Sequence, residues 1–266
     1  RPVARLNQGL LGHDDAARRY DRRTMMRLAQ LSDTHLVAEQ PGAGMYGIDT
    51  AENLAAILDA FPVRPDAAVI TGDVAEDGAV AAYEAARTIT SDFAAELHVV
   101  PGNHDDRSNM VEVFGDVGPR MVRLSRHWAM ALVDSQWSGH GNGQIAPEGI
   151  AALDASLAHA DGNVVVCLHH PPVSPCDDPY CTITNATEMS RVLRRHECVR
   201  VVLSGHLHRV FDTTVDGIRF LGAPSTFRQL EHGHEPHFRT TTEPPAARLV
   251  ELHDDGTVTY RDVSAR

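Results

Sequence analysis

The chain lacks any apolar run approaching the roughly 20 residues that cross a bilayer as a helix, so no membrane-spanning helix is expected. It also lacks a basic surplus. The formal net charge is -12 over 266 residues, an average field that repels DNA and RNA, and no nucleic-acid partner is expected. Cysteine is scarce, and Cys167, Cys176, Cys181 and Cys198 are the whole set. No pair of Cys-x2-Cys motifs is present, which argues against a structural zinc site and against a disulfide scaffold. Cys167 and Cys198 lie in apolar runs and read as small buried hydrophobes. Cys176 and Cys181 flank a loop, where both a pair and two free thiols stay open. There is no internal repeat, no low-complexity segment and no strong linker after residue 25. Residues 1–24 are rich in Arg and Asp and have no apolar core, so they do not read as a secretory leader. They are expected to form a flexible N-terminal extension, with the natural start near Met25 or Met26 and a cytoplasmic location by default.

What is present is an ordinary globular balance, 42% hydrophobic and 23% charged, with length enough for one domain over residues 25–266. Short β-branched runs alternate with helical stretches. Strands are expected at 27–32, 67–71, 97–100, 129–134, 164–168 and 199–204, and helices at 50–61, 78–91, 107–114, 147–160 and 187–196. After Gly205 the pattern turns to consecutive strands, at 210–215, 218–221, 247–252 and 258–263, with Asp216-Gly217 and Asp255-Gly256 as turns. Early βα units followed by late strands predict an α/β fold of stacked mixed sheets with helices outside.

The chemistry sits at the strand ends. Five expected strands run into metal-ligand residue types: Asp33-Thr34-His35, Gly72-Asp73, Gly102-Asn103-His104-Asp105, His169-His170-Pro171 and Gly205-His206-Leu207-His208. Ligands of open α/β sheets bind beyond the carboxyl ends of the strands, so these loops can converge although distant in sequence. Imidazole and carboxylate together suit first-row transition ions. A carboxylate that bridges two ions brings them to about 3.5–4 Å, the spacing of two-metal hydrolases. The glycines before Asp73, Asn103 and His206 permit the tight turns this convergence needs. The remaining histidines match no such pattern. His232, His234 and His237, with Glu231 and Glu235 beside them, could be read as a third metal site, but a mobile loop near the substrate mouth is the favoured reading.

These five segments, in this order, resemble the calcineurin-like metallophosphoesterases, whose pattern is D-x-H, G-D, G-N-H-D/E, H and G-H-x-H. The resemblance covers about residues 26–266. It implies a four-layer αββα sandwich of two mixed β-sheets flanked by helices, and two transition-metal ions (Fe, Mn, Co or Zn). Asp33, His35, Asp73 and His208 would hold the first ion. Asp73, Asn103, His169 and His206 would hold the second, with Asp73 bridging. His169, two residues before Pro171, takes the family's metal position, and His170 then stands behind the ligands without touching metal. His104 would assist the leaving group, and Asp105 is the candidate to orient His104. Hydrolysis would proceed by attack of hydroxide that the two ions generate from water.

Within that family, Ser32-Asp33-Thr34-His35-Leu36, Gly102-Asn103-His104-Asp105-Asp106-Arg107 and His169-His170-Pro171-Pro172 are similar to the class III cyclic nucleotide phosphodiesterases. So are Met45-Tyr46-Gly47-Ile48-Asp49, Pro224-Ser225-Thr226 and Leu249-Val250-Glu251-Leu252. The resemblance implies a phosphodiesterase acting on small diesters, 3',5'-cyclic nucleotides such as cyclic AMP first. A glycerophosphodiesterase or a broad phosphomonoesterase is the alternative of the same class, and a catalytically inactive binding protein the alternative of another. Few cationic donors flank the motifs, only Arg107 and Arg209, while Met45, Tyr46 and Phe227 offer apolar surface to a base or alkyl group. That balance favours a singly charged diester over a doubly charged monoester. A homodimer is common among similar enzymes and is compatible with this chain.

Overall fold

The computed structural model describes residues 24–37, 46–234 and 237–265. Apart from Thr24, the expected N-terminal extension lies outside the described residues, as does Met45. The chain runs β1 (Met25–Leu31), α1 (Thr50–Asp59), β2 (Ala67–Thr71), α2 (Val80–Thr90), β3 (Leu97–Val100), α3 (Arg107–Phe114), β4 (Arg120–Arg123) and β5 (Trp128–Leu132). It continues through α4 (Pro147–Ala158), β6 (Asn163–Cys167), α5 (Ala186–Arg194), β7 (Val199–Ser204), β8 (Phe211–Val215), β9 (Ile218–Gly222), β10 (Leu230–His234), β11 (His237–Thr240), β12 (Ala246–His253) and β13 (Val258–Ser264).

The strands form two large mixed sheets. The first has the order β13-β12-β1-β2-β3, the second β4-β5-β6-β7-β9-β8, and β10 pairs with β11 as a separate hairpin. The central strands β1, β2 and β3 pair in parallel, as do β5, β6, β7 and β9, with antiparallel strands at the margins. Parallel central strands are buried on both faces, which explains why β2, β5 and β6 read as unbroken apolar runs.

Alternation within each strand separates the layers. Leu28, Val69, Trp128, Met130, Val165, Cys167, Val201, Leu203, Val250 and Leu252 face one another between the sheets. The intervening residues Leu31, Ile70 and Val99 meet Leu54 and Ile57 of α1, Tyr83 and Ala86 of α2 and Met110 of α3. Across the molecule, Ala131, Val164, Val166 and Val202 meet Ile150 and Leu153 of α4 and Met189 and Leu193 of α5. The result is the expected αββα sandwich. Side chains fix two helix starts: Asp49 accepts from the amides of Ala51 and Glu52 at 3.1 and 3.0 Å, and Asp106 accepts from that of Asn109 at 3.0 Å.

Two elements differ from expectation. The strand β4 has no counterpart among the expected strands, and the His-rich stretch expected as a mobile loop forms the β10–β11 hairpin, with a register shift between His232 and His234. Of that stretch, Glu235 and the side chains of His234 and His237 lie outside the described structure. Cys167 is buried between the sheets and Cys198 is half-buried. Cys176 and Cys181, left open by the sequence, are disulfide-bonded.

Candidate metal centre

All five ligand-bearing loops emerge at the carboxyl ends of their strands and on the same edge of the sandwich. Asp33 and His35 follow β1, Asp73 follows β2, and Asn103 follows β3. From the second sheet, His169 follows β6, while His206 and His208 follow β7. Backbone bonds lock the loops together: the Asp33 amide donates to Gly72 O, the His35 amide to Asp73 O and the Gly205 amide to His169 O, each at 3.0 Å.

The local backbone is unusual in a way that singles out these residues. Seven non-glycine residues among those described take positive φ, and five of them are Asp33, His35, Asp73, His206 and His208. A left-handed conformation costs a side-chain-bearing residue roughly 1–3 kcal/mol and persists only where its surroundings impose it. Turning each side chain sharply out of its strand is what aims it at a common point. Gly72, at φ +88°, carries the same turn, and a Cβ there would come within 2.6 Å of the His169 ring.

At the centre stands the carboxylate of Asp73. Its Oδ2 lies 3.8 Å from Nε2 of His35 and 3.3 Å from Nε2 of His169. Asn103 Oδ1 lies 3.2 Å from that same His169 nitrogen. On one side, Asp33 Oδ1 is 3.3 Å from Nε2 of His208, and Nε2 of His35 and His208 face each other at 3.0 Å. His169 and His206 sit on the other side with ring centroids 5.1 Å apart. The seven residues expected to hold metal are thus brought together, and every one except the half-buried Asn103 is buried.

The outward nitrogen of each imidazole has an acceptor. Nδ1 of His35 meets Oε2 of Glu76 at 2.6 Å, Nδ1 of His169 meets Thr71 O at 2.8 Å, Nε2 of His206 meets Tyr180 O at 2.9 Å, and Nδ1 of His208 meets Arg228 O at 2.9 Å. A ring that donates outward presents a lone pair inward, the arrangement that orients metal-bound histidines. The His35–His208 contact then sets two lone pairs against each other. A cation between them resolves the conflict, so the residues present fit the expected ions on donor chemistry and geometry alike.

Electrostatics agree. Burial opposes ionisation of Asp33, but the imidazoles of His208 and His169 hold its carboxyl at about 2. Burial also opposes the charge on Asp73, and His169 and His35 overcome it, leaving the carboxylate well below its ordinary range. Two permanent carboxylates stand among the imidazoles, and burial keeps the rings of His35 and His206 neutral, a donor set suited to cations. Burial lowers His206 to about 3, with His169 adding to the effect. His169 itself is carried to about 9 because the Asp73 carboxylate outweighs burial. An ion would have to displace that proton, so loading should release acid.

His170 packs against His169 and His206, with ring centroids 4.6 and 4.5 Å away, and both of its nitrogens have other partners: Nδ1 is 3.0 Å from Ser135 Oγ and Nε2 is 3.3 Å from Gly141 O. His104 lies at the rim, 35% exposed, with its ring centroid 4.9 Å from that of His35. The expected link from Asp105 to His104 is replaced by another. Asp105 instead accepts from the amides of Val74, Ala75 and Gly102 and from Tyr83 Oη, at 3.2, 3.0, 2.9 and 3.1 Å. Its carboxylate braces the β2 and β3 loops against α2, because its side chain points into the sandwich while that of His104 points to the rim. The His104 amide donates to Asp73 Oδ1 at 2.9 Å, and its imidazole Nδ1 meets Glu76, at the carbonyl (3.1 Å) and the carboxylate (3.3 Å). Sequence reasoning does not find Glu76. The available signal is an acidic side chain three residues after Asp73, which meets His35 and His104 once the loop turns.

Comparisons with known proteins agree with this geometry. Residues 26–210 match the family model described as calcineurin-like phosphoesterase. The chain is 34% identical to the 3',5'-cyclic adenosine monophosphate phosphodiesterase CpdA of Escherichia coli, over 88% of each chain. It is 34% identical to a cAMP/cGMP dual specificity phosphodiesterase of Mycobacterium tuberculosis, over 75% of this chain and 67% of that one. Among solved structures, a dimetal phosphatase from Danio rerio superposes with a TM-score of 0.65 at 17% identity, covering 91% of this chain and 99% of that chain, a likeness of fold. Among the described residues, no helix is long and apolar enough to cross a membrane. With five strand-end motifs converged on one central carboxylate and a family match that spans them all, this chain belongs to the calcineurin-like phosphoesterases.

Proposed function

We propose that the chain is a dinuclear-metal phosphodiesterase that opens the ring of 3',5'-cyclic nucleotides, cyclic AMP first. The single observation that carries the metal assignment is the pair of imidazole nitrogens of His35 and His208 facing each other at 3.0 Å beside the Asp33 carboxylate, with Asp73 beyond them. One ion would take Asp33, His35, Asp73 and His208, and the other Asp73, Asn103, His169 and His206. Two such ions supply an acidified water and offset negative charge on the phosphoryl oxygens. The names of the curated relatives support the cyclic nucleotide as substrate.

The chain's own residues supply the rest. His104 is fixed at Nδ1 by the Glu76 carbonyl, which leaves Nε2 of this 35% exposed side chain as the nitrogen for the substrate. Burial pulls its pKa down, but the carboxylates of Asp73 and Glu76 raise it above the ordinary value and favour the imidazolium. An imidazolium there donates a proton to the departing ribose oxygen as the oxygen of water bonds to phosphorus and the P–O ester bond breaks. The product is a nucleoside monophosphate.

Charge supports a diester. The chain contains no lysine. Arg107 is tied to Asp134 in an ion pair, and Arg209 is exposed. Arg228 lies over the rings of Tyr46 and Phe227 at 4.3 and 4.8 Å. Phe227 in turn sits 5.5 Å from His35 and 6.5 Å from Tyr46, which is 73% exposed. Phe227 is itself buried, so Tyr46 and Arg228 are the members of this stack that would meet a nucleobase, while few free cations remain for a dianionic monoester. The test compares kcat/KM for cyclic AMP with that for 3'-AMP and 5'-AMP at equal metal loading. Ring opening should be faster than phosphate release from either monoester. The reverse order would overturn the substrate assignment and leave the broader phosphoesterase reading.

A further inference from the structure

Away from the main centre, the fold gathers a second set of metal-ligating side chains of different chemistry. Cys176 and Cys181 bracket a short turn, Pro179–Cys181, and are disulfide-bonded. The β10 strand brings His232 to them from 51 positions further along the chain, with Nδ1 3.6 Å from Cys181 Sγ. The three ligand atoms lie within 4.8 Å of one another. The turn is rigid: Asp178 accepts from the Tyr180 amide and the Cys181 amide donates to Asp178 O, both at 2.9 Å, and the Cys176 amide donates to Ser174 Oγ at 3.0 Å.

The imidazole is oriented as a ligand. Nε2 of His232 meets Leu207 O at 2.8 Å, so Nε2 carries the hydrogen and Nδ1 presents its lone pair to sulfur. Burial lowers the pKa of His232 and keeps the ring neutral. A disulfide sulfur has no hydrogen to give, so the oxidised pair leaves Nδ1 facing an acceptor. Bond lengths of about 2.3 Å for sulfur and 2.0–2.1 Å for nitrogen, held at a tetrahedral angle, put S and N about 3.6 Å apart. That is the separation seen here. The Cys-x4-Cys spacing also falls within the range that zinc sites use.

We propose that Cys176, Cys181 and His232 form a redox-gated site for a thiophilic divalent ion such as zinc. With the disulfide intact the sulfurs are unavailable. Once it is reduced, they separate to the about 3.8 Å that two thiolates span across a tetrahedral ion. A phosphine reductant delivers two electrons, takes the oxygen of one water, and leaves two thiols; the ion then displaces the two thiol protons. Cys181 is fully buried, whereas Cys176 and His232 are half-buried, so the fourth position opens toward solvent. Sulfur ligands make this site softer than the nitrogen and oxygen donors of the main centre. The site touches that centre at two points: the carbonyl of Tyr180, within the turn, holds His206, and the carbonyl of Leu207, between His206 and His208, holds His232.

Cobalt(II) tests this, because thiolate ligation gives a near-ultraviolet charge-transfer band that nitrogen and oxygen ligands do not. The metal-free full chain is titrated with Co²⁺ after phosphine reduction and, separately, with the disulfide intact. The reduced protein should show the sulfur band and bind one more ion than the oxidised protein. Cys176→Ser should abolish the band while leaving phosphodiester hydrolysis in place, and His232→Ala should weaken the extra ion by roughly 10–100-fold or more. If thiol titration confirms reduction and no sulfur band appears, the contact is a thiol–imidazole hydrogen bond and the proposal fails. The wild-type comparison alone decides between these outcomes, so a variant that does not fold leaves the test intact. The test is also independent of the main centre, whose own cobalt bands lie in the visible.

Discussion

Removing Glu76 perturbs both halves of the proposed machinery at once. Its Oε2 accepts from Nδ1 of His35 at 2.6 Å, and the carboxylate lies 3.3 Å from Nδ1 of His104. In Glu76→Ala the His35 ring loses the acceptor that fixes its tautomer, and water replaces a charge only 23% exposed. Loss of such a partner costs about 10–100-fold in metal affinity, or about 1.4–2.7 kcal/mol. The effect on His104 has a definite sign. Glu76 is one of the charges that raise its pKa against burial, so removal lowers that pKa. If the imidazolium is the acid, the alkaline limb of kcat/KM moves to lower pH. Glu76→Gln keeps an amide oxygen as acceptor for His35 but removes the charge, so it should shift the pH profile while sparing most of the affinity. Metal competition against a chelator measures the first quantity, and a pH–rate profile at saturating metal the second. Unchanged affinity together with an unmoved alkaline limb in Glu76→Ala would refute this account of both histidines.

Three further outcomes follow from the same geometry. His104→Ala should keep both ions, by elemental analysis, yet lose about 10²–10⁴-fold in rate; the loss should shrink for a nitrophenolate leaving group, and an equal loss on good and poor leaving groups would point to positioning instead. Gly72→Ala forces a methyl group against His169 at φ +88°, so thermal denaturation should report roughly 1–2 kcal/mol from the backbone alone, and metal affinity should fall with it; a variant equal to wild type in both would contradict the packing. Arg248 is fully buried with its guanidinium on Asp262 at 2.7 and 3.1 Å; since Asp262 is itself 29% exposed, Asp262→Ala should cost about 3 kcal/mol, the lower end for a broken buried pair, and a urea-unfolding loss under about 1 kcal/mol would show that the charge is rehydrated.

The candidate ligands are legible in the sequence because each stands at the end of an apolar run, where local pattern and chemistry coincide. Asp73 after Ala67–Thr71 and His206 after Val199–Ser204 need no knowledge of the fold beyond strand direction. The features that escape the sequence depend on tertiary placement. Glu76 meets His35 across 41 positions and has no strand end to mark it. Asp105 follows His104, yet its side chain turns inward to Tyr83. The strand β4 is a half-buried stretch with no clean alternation, and β10–β11 is rich in His, Glu and Arg, residues that carry little strand signal. Spacing alone does not decide the Cys176–Cys181 pair, since loop geometry sets whether two sulfurs meet.

The proposed ligands are divided between the two sheets: Asp33, His35, Asp73 and Asn103 belong to the first, and His169, His206 and His208 to the second. Occupancy of the centre would therefore act as a seam that fastens one half of the sandwich to the other. Any ion that binds the assembled seam and not the unfolded chain adds stability that grows with the logarithm of its free concentration. The protein's resistance to heat would then record the metal supply around it. A substitution deep in either sheet that slid the halves by a fraction of an ångström would surface first as a weaker grip on metal, well before the fold itself gave way.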